Sequence, residues 1–332
     1  MWITKPSYFD TFRCIAGSCP DSCCKEWDVQ VDAAAAAHYR ALPGDLGNRL
    51  REVLYDEEGE TYMAIVDRRC PMWRDDGLCR IQAELGEGAL CKTCREFPRL
   101  THDYGDFIEY GLELSCPEAA RILFATPDAT RITREVPGGE EPEYDTEAMA
   151  LLKASREQML ALLSDNSRDA ADRLILALLY GYQAQSELDG GDVLPFDPDS
   201  ALEEARNLAK PGSKEEILNF FRSLEILTPH WKQRLENPAG GDFPPQLPIL
   251  AKYMVERYWL QAVSDYDLYS RVKFTVIACL LMQILGGDPV STAQLFSKEI
   301  ENSADNVDTL LDAAYSHPAF TDDKLLGLLL DV

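Results

Sequence analysis

Nine of the ten cysteines fall within the first 116 residues. Their order is Cys14-x4-Cys19-x3-Cys23-Cys24, then Cys70-x8-Cys79, Cys91-x2-Cys94 and Cys116; Cys279 stands apart in an apolar run. Thiols this dense serve a disulfide framework, a zinc cage or an iron–sulfur site. An odd count and the adjacent pair Cys23–Cys24 argue against disulfides, since neighbouring cysteines bond each other only with strain. A zinc cage calls for two C-x2–4-C steps, and only 91/94 and 19/23 have that spacing. An iron–sulfur site accepts thiolates that converge from several loops, and the pattern favours it, with zinc as the alternative.

Three of the cysteines precede proline: Cys19-Pro20, Cys70-Pro71 and Cys116-Pro117. Proline lacks an N–H and holds the preceding residue in extended geometry, so each step stiffens the loop that presents a thiol. Arg95 and Arg99 follow Cys94 closely, where they suit the negative charge of bound thiolates. Trp27, just after the double cysteine, is placed to shield such a site from water. The stretch Asp106–Leu114 ("DFIEYGLEL") predicts a short strand, and with Tyr104 it brings Glu109, Tyr110 and Glu113 near Cys116. An ordinary solvated strand edge is the simpler reading of those four. Cys279 reads as a small buried hydrophobe.

The elements that must position these residues divide the chain in two. Residues 1–134 form a loop-rich cysteine module, and residues 135–332 an α-helical domain, so the fold class is mainly α. Thr133–Asp145 ("TREVPGGEEPEYD") reads as the linker between them. Beyond it, "EAMALLKASREQMLALL" and "RDAADRLILALLYGYQAQS" carry helical apolar periodicity. Ser213 with Glu216 forms a capping box, and Thr228-Pro229 is expected to stop the helix it opens. "PQLPILAKYMVERYWLQAV" and "DLYSRVKFTVIACLLMQILGG" predict two further helices, the second ended by Gly286. Pro289 sits at a first-turn position of the next, and two short helical segments close the chain.

The net charge is −25, of which −7 lies in residues 1–134 and −18 in residues 135–332. Such a field repels phosphate backbones, so nucleic acid is excluded as a partner, and a cationic, lysine-bearing protein would be drawn in. The N-terminus lacks the pattern of a secretory signal. The most apolar window, Phe274 to Leu285, is too short to span a bilayer. Together these predict a cytoplasmic protein without membrane attachment.

The segments "YFDTFRCIAGSCPDSCCKEWDVQVD", "RCPMWRDDGLCRIQAELGEGALCKTCREFPRL" and "LSCPEAARIL" resemble the cysteine-rich signature of the flagellin lysine-N-methylase family. They also share the looser CxxCC pattern of proteins that chelate zinc or iron. The resemblance implies methyl transfer from S-adenosylmethionine to flagellin lysines by a protein that binds an iron–sulfur cluster, most simply [4Fe–4S]. It further implies that Cys14, Cys19, Cys23, Cys24, Cys70, Cys79, Cys94 and Cys116 are the metal-holding set; Cys91 is less typical of it. Eight thiols exceed the four that one such cluster takes. The residues alone signal no cofactor loop: no G-x-G-x-x-G follows a strand, and the C-x3-C-x2-C motif of radical enzymes is one residue short. A non-catalytic zinc- or iron–sulfur-binding redox or interaction module is the competing reading.

Overall fold

The computed structural model describes residues 1–21, 23, 29–67 and 69–331. Cys24 and Trp27, both singled out by sequence, lie outside these residues. The strands are β1 (Trp2–Pro6), β2 (Val29–Val31), β3 (Leu54–Glu57), β4 (Glu60–Met63), β5 (Arg99–Asp103), β6 (Phe107–Leu112) and β7 (Arg131–Glu135). Helices of the first part are α1 (Ala33–Ala41), α2 (Gly44–Val53), α3 (Arg80–Leu85), α4 (Lys92–Glu96) and α5 (Pro117–Ala125). There follow α6 (Thr146–Ser164), α7 (Ala170–Leu188), α8 (Pro198–Leu208), α9 (Lys214–Ser223), α10 (Pro229–Glu236) and α11 (Leu247–Tyr258). The last are α12 (Leu268–Leu285), α13 (Pro289–Phe296), α14 (Ala304–Ser316) and α15 (Asp322–Leu329). With 57% of residues helical and 11% in strands, the fold is mainly α, as the sequence predicts.

The first part is more ordered than loop-rich composition suggests. A four-stranded sheet runs β5-β6-β1-β7, and a three-stranded sheet runs β2-β4-β3. β1 pairs parallel with β6, Trp2 opposite Phe107, and antiparallel with β7, Trp2 opposite Glu135. The predicted strand is therefore β6, and it is central rather than a solvated edge. The expected linker is shorter too. Thr133–Glu135 complete β7, and Asp145 caps α6 by accepting from Glu147 and Ala148 N–H. Both sheets join segments far apart in sequence, so local pattern carries little of their signal.

Two hydrophobic cores result. One gathers residues 29–91: Val31, Tyr39, Leu50, Met63, Met72 and Ile81 are its buried centre. The other runs through the helical part and takes in Tyr8, Phe12, Phe107, Leu112, Leu114 and Cys116 from the first part. At its heart lies α12, whose 18 residues are all buried. Among the described residues it alone is long and apolar enough to cross a membrane, but its flanks are covered by α7, α11 and α14. The apolar window thus extends past twelve residues at its N-terminal end, where Asp267 caps it. Gly181 lets α7 approach α12; a Cβ there would come within 2.5 Å of Val272.

The caps behave as read, with one exception. Ser213 Oγ accepts from Glu216 N–H at 3.2 Å, Gly286 ends α12 at φ 64°, and Pro289 opens α13. Thr228-Pro229 does not stop α9, which already ends at Ser223. It opens α10: Thr228 Oγ1 accepts from Trp231 N–H at 3.2 Å, and Pro229 takes the first turn, where a missing N–H costs nothing.

Candidate metal centre

One cavity of about 280 Å3 lies where the two cores face each other. Phe12 and Cys116 come from the core that runs through the helical part, and Val29, Tyr39, Met63, Met72 and Ile81 from the core of residues 29–91. Every described cysteine except Cys279 lines it: Cys14, Cys19, Cys23, Cys70, Cys79, Cys91, Cys94 and Cys116. Residues separated by about a hundred positions in sequence thus converge on one space. Cys91, which the sequence reading leaves out of its set, belongs in this wall. In the sequence its pairing with Cys94 is marked only by their C-x2-C step.

Local structure accounts for how the thiols are presented. Cys79, Cys91 and Cys116 sit at the N-caps of α3, α4 and α5, each in extended geometry (ψ 128°, 162° and 118°). Cys19 closes a short 3-10 turn with ψ 128°. At Cys19 and Cys116 the following proline imposes that geometry, as expected. Asp32 fastens the α4 end of the wall: Oδ1 accepts from Ala35 N–H at 3.1 Å, and Oδ2 from Lys92 N–H at 2.7 Å. Those bonds, that to Lys92 foremost, hold its carboxyl below the ordinary range. Thr93 Oγ1 donates to Gln30 O at 2.8 Å, tying α4 to β2. On the far side Lys298 pairs with Asp21 at 2.9 Å, and Gln294 donates to Ser115 O, so the end of α13 braces the first cysteine run.

The thiols fall into two electrostatic groups. Cys14 acts by charge on both Cys19 and Cys116, Cys19 acts on Cys116, and the carboxylate of Glu118 adds to the field at Cys19. Burial pushes Cys116 up to about 11, opposed by the N–H groups of Ala119 and Glu118 at the start of α5. Cys79, Cys91 and Cys94 surround Tyr39, whose hydroxyl donates to Ala89 O at 2.7 Å. There the Cys94 thiol hydrogen-bonds Cys91 and brings it down to about 7, against the effect of burial. Cys70 donates to Met63 Sδ at 3.5 Å. Arg13, Arg95 and Arg99 line the same cavity. Cys279 lies on α12 away from this space, fully buried and pushed far up by burial, as a core cysteine should be.

Among the described residues no three His, Cys, Asp or Glu side chains sit close enough to hold a single ion. Eight of the donors are thiols, spread over the wall in two groups, beside the carboxylates of Asp21, Glu87 and Glu118. That chemistry suits a polynuclear thiolate-bound cluster, whose ligands stand further apart than those of one zinc ion.

The acid and phenol groups near Cys116 serve a different purpose from a solvated edge. Glu109 is buried; its carboxylate accepts from Arg156 twice and from Arg131 once, each at 2.7 Å. These arginines hold it below the usual carboxylate range despite burial. Glu113 accepts from Ser115 Oγ at 2.8 Å and is pushed up by burial. Tyr104 stacks on Phe107 with centroids 4.6 Å apart. Arg156 comes from α6, in the half of the chain where the sequence reading places no site residue.

The lysine-N-methylase of Salmonella typhimurium (strain LT2) is 30% identical over 143 residues, covering 40% of this chain and 35% of that protein. A lysine-N-methylase of Salmonella choleraesuis matches to the same extent. The flagellar biosynthetic protein FliU of Salmonella muenchen is 31% identical over 134 residues, covering 38% of this chain and 79% of that protein. No family model and no solved structure matches. The match therefore spans about a third of the lysine-N-methylases and most of the FliU protein. With its thiol-lined cavity between two cores and this similarity, the chain belongs to the flagellin lysine-N-methylase family.

Proposed function

We propose that the protein is a cytoplasmic, S-adenosylmethionine-dependent protein-lysine N-methyltransferase that acts on flagellin and holds an iron–sulfur cluster in the thiol cavity. One observation carries the reading: in a chain similar to lysine-N-methylases, eight cysteines from separate loops line a single space. The cluster would be held by four thiols drawn from Cys14, Cys19, Cys23, Cys70, Cys79, Cys91, Cys94 and Cys116, with Cys24 as a further candidate. When bound, such a cluster joins otherwise separate loops and offers a redox couple. The chain's own part is to exclude water with Phe12, Met63 and Met72, and to balance thiolate charge with Arg13, Arg95 and Arg99. The charge of −18 on residues 135–332 favours approach of a lysine-bearing partner.

The test has two arms. Co-expression with flagellin and methyl-labelled S-adenosylmethionine should place label on flagellin lysines; no label on any flagellin would overturn the activity. Protein purified without oxygen should be brown and contain matched iron and sulfide. A colourless protein with stoichiometric zinc would replace the cluster by zinc and favour the non-catalytic module.

A further inference from the structure

Next to the thiol cavity, and sharing no lining residue with it, lies a second space of about 40 Å3. The four-stranded sheet, α6 and α11 enclose it, and consecutive residues of β5, Arg99 and Leu100, line the two spaces in turn. Its charges are nearly all answered from within. Glu109 is held by Arg156 and Arg131, Arg131 also pairs with Glu157 at 2.7 Å, Arg257 pairs with Glu301 at 3.2 Å, and Lys5 pairs with Asp10. One carboxyl is left over. Glu256, on α11, has no hydrogen-bond or ion-pair partner among the described residues. Two groups beside it are equally unengaged: Nε2 of His102, shielded from solvent, and the hydroxyl of the buried Tyr8.

We propose that this pocket receives the side-chain amine of the substrate lysine, with Glu256 as counter-ion of the ammonium and His102 Nε2 and the Tyr8 oxygen as acceptors. The proposal rests on the protein-lysine methyltransferase reading. Size supports it: at ~10–15 Å3 of such space per water, the pocket holds about three water-sized groups. An amine and its last methylenes fit, whereas a nucleoside-bearing methyl donor does not. Charge supports it too, because the arginines are hydrogen-bonded to other carboxylates, and Glu256, which Arg131 and Arg156 reach only through space, holds no hydrogen-bonded cation among the described residues. Glu256 is faced by Arg131 from β7, Arg156 from α6, Glu109 from β6, Tyr8 from the N-terminal segment and Lys252 on its own helix.

Methylation requires the nitrogen lone pair. The ammonium N–H breaks and the proton passes to a Glu256 oxygen, leaving that pair on nitrogen. It then forms the N–C bond as the C–S bond of a sulfonium donor breaks to a thioether. Burial pushes the Glu256 carboxyl up and would push an enclosed amine down, which narrows the gap the proton must cross.

The full chain is titrated with butylammonium, and with 1-butanol as the uncharged control, by calorimetry. Saturable binding of butylammonium alone is expected, with Glu256→Gln raising the dissociation constant about tenfold or more. Equal binding of butanol, or unchanged binding by the variant, would overturn the pocket. Should Glu256→Gln fail to fold by circular dichroism, Tyr8→Phe carries the same test with about a threefold weakening. The two readings part cleanly. Glu256-dependent amine binding without methyl transfer to any lysine counts against the activity alone; methyl transfer with Glu256-independent amine binding counts against the pocket alone.

Discussion

The two neighbouring cavities bury polar chemistry in opposite ways. In the arginine-lined pocket nearly every charge has its partner within the chain, down to the bidentate Arg156–Glu109 pair. In the thiol cavity eight cysteines face a space where, among the described residues, no three acid, imidazole or thiol donors gather for an ion. In the first, the side chains of Glu256, His102 and Tyr8 stand without a hydrogen-bond partner among the described residues; in the second, the thiols stand in two groups around a shared space. The difference teaches that the charge network contributes to folding by itself, whereas the thiols would do so only through the cluster proposed for them.

The sharpest break of that comparison is Glu109→Gln. It leaves buried Arg156 without its hydrogen-bonded carboxylate and should cost about 3–5 kcal/mol, read as a lowered urea midpoint. A loss under 1 kcal/mol would mean the network is incidental. Next is loading of the thiol cavity. Iron and sulfide reconstituted into metal-free protein should stabilise it by about 2.7 kcal/mol at a hundredfold excess over Kd, measured by chemical unfolding without oxygen. Cys116→Ser should blunt that gain, and an unaltered gain would remove Cys116 from the wall's ligands.

A third prediction concerns pH. The arginines lower the Glu109 pKa on folding, so its stabilising effect is full above the ordinary glutamate value of ~4.3 and is lost as pH falls through the folded value. The gap between wild type and Glu109→Gln should therefore shrink in acid; a gap constant from pH 7 to pH 3 contradicts the pair. Smaller still, Cys279→Ser should cost about 1 kcal/mol by placing a hydroxyl in a dry core. Smallest is Cys94→Ser in metal-free protein, within about 0.5 kcal/mol, since its side chain is exposed and no bound group depends on it there. A large effect at Cys94 would show that the thiol wall is a structural unit without any bound group.

Much of the helical half was legible because its signals are local. Periodicity marked α6 and α7, Ser213 and Asp267 supply caps, and Gly286 terminates α12 through its positive φ. Thr228-Pro229 was misread because the same dipeptide ends one helix or opens another, and only the position of Trp231 settles which. The small sheets were scarcely legible, since β1 finds β6 about a hundred residues later. Tyr104, Glu109 and Glu113 looked like surface for the same reason.

By itself the sequence determined that the chain is mainly α, that its first 116 residues carry an unusual thiol chemistry, and that its field suits cationic partners. Those properties follow from residue type and spacing, which survive any arrangement of the chain. Tertiary structure alone decided that Cys14 and Cys116 share a wall with Cys91 and Cys94, and that Arg156 completes Glu109. It also brought Glu256, His102 and Tyr8 around one pocket. Proximity between distant segments arises from strand pairing and the burial of two cores against each other, and no local pattern encodes it.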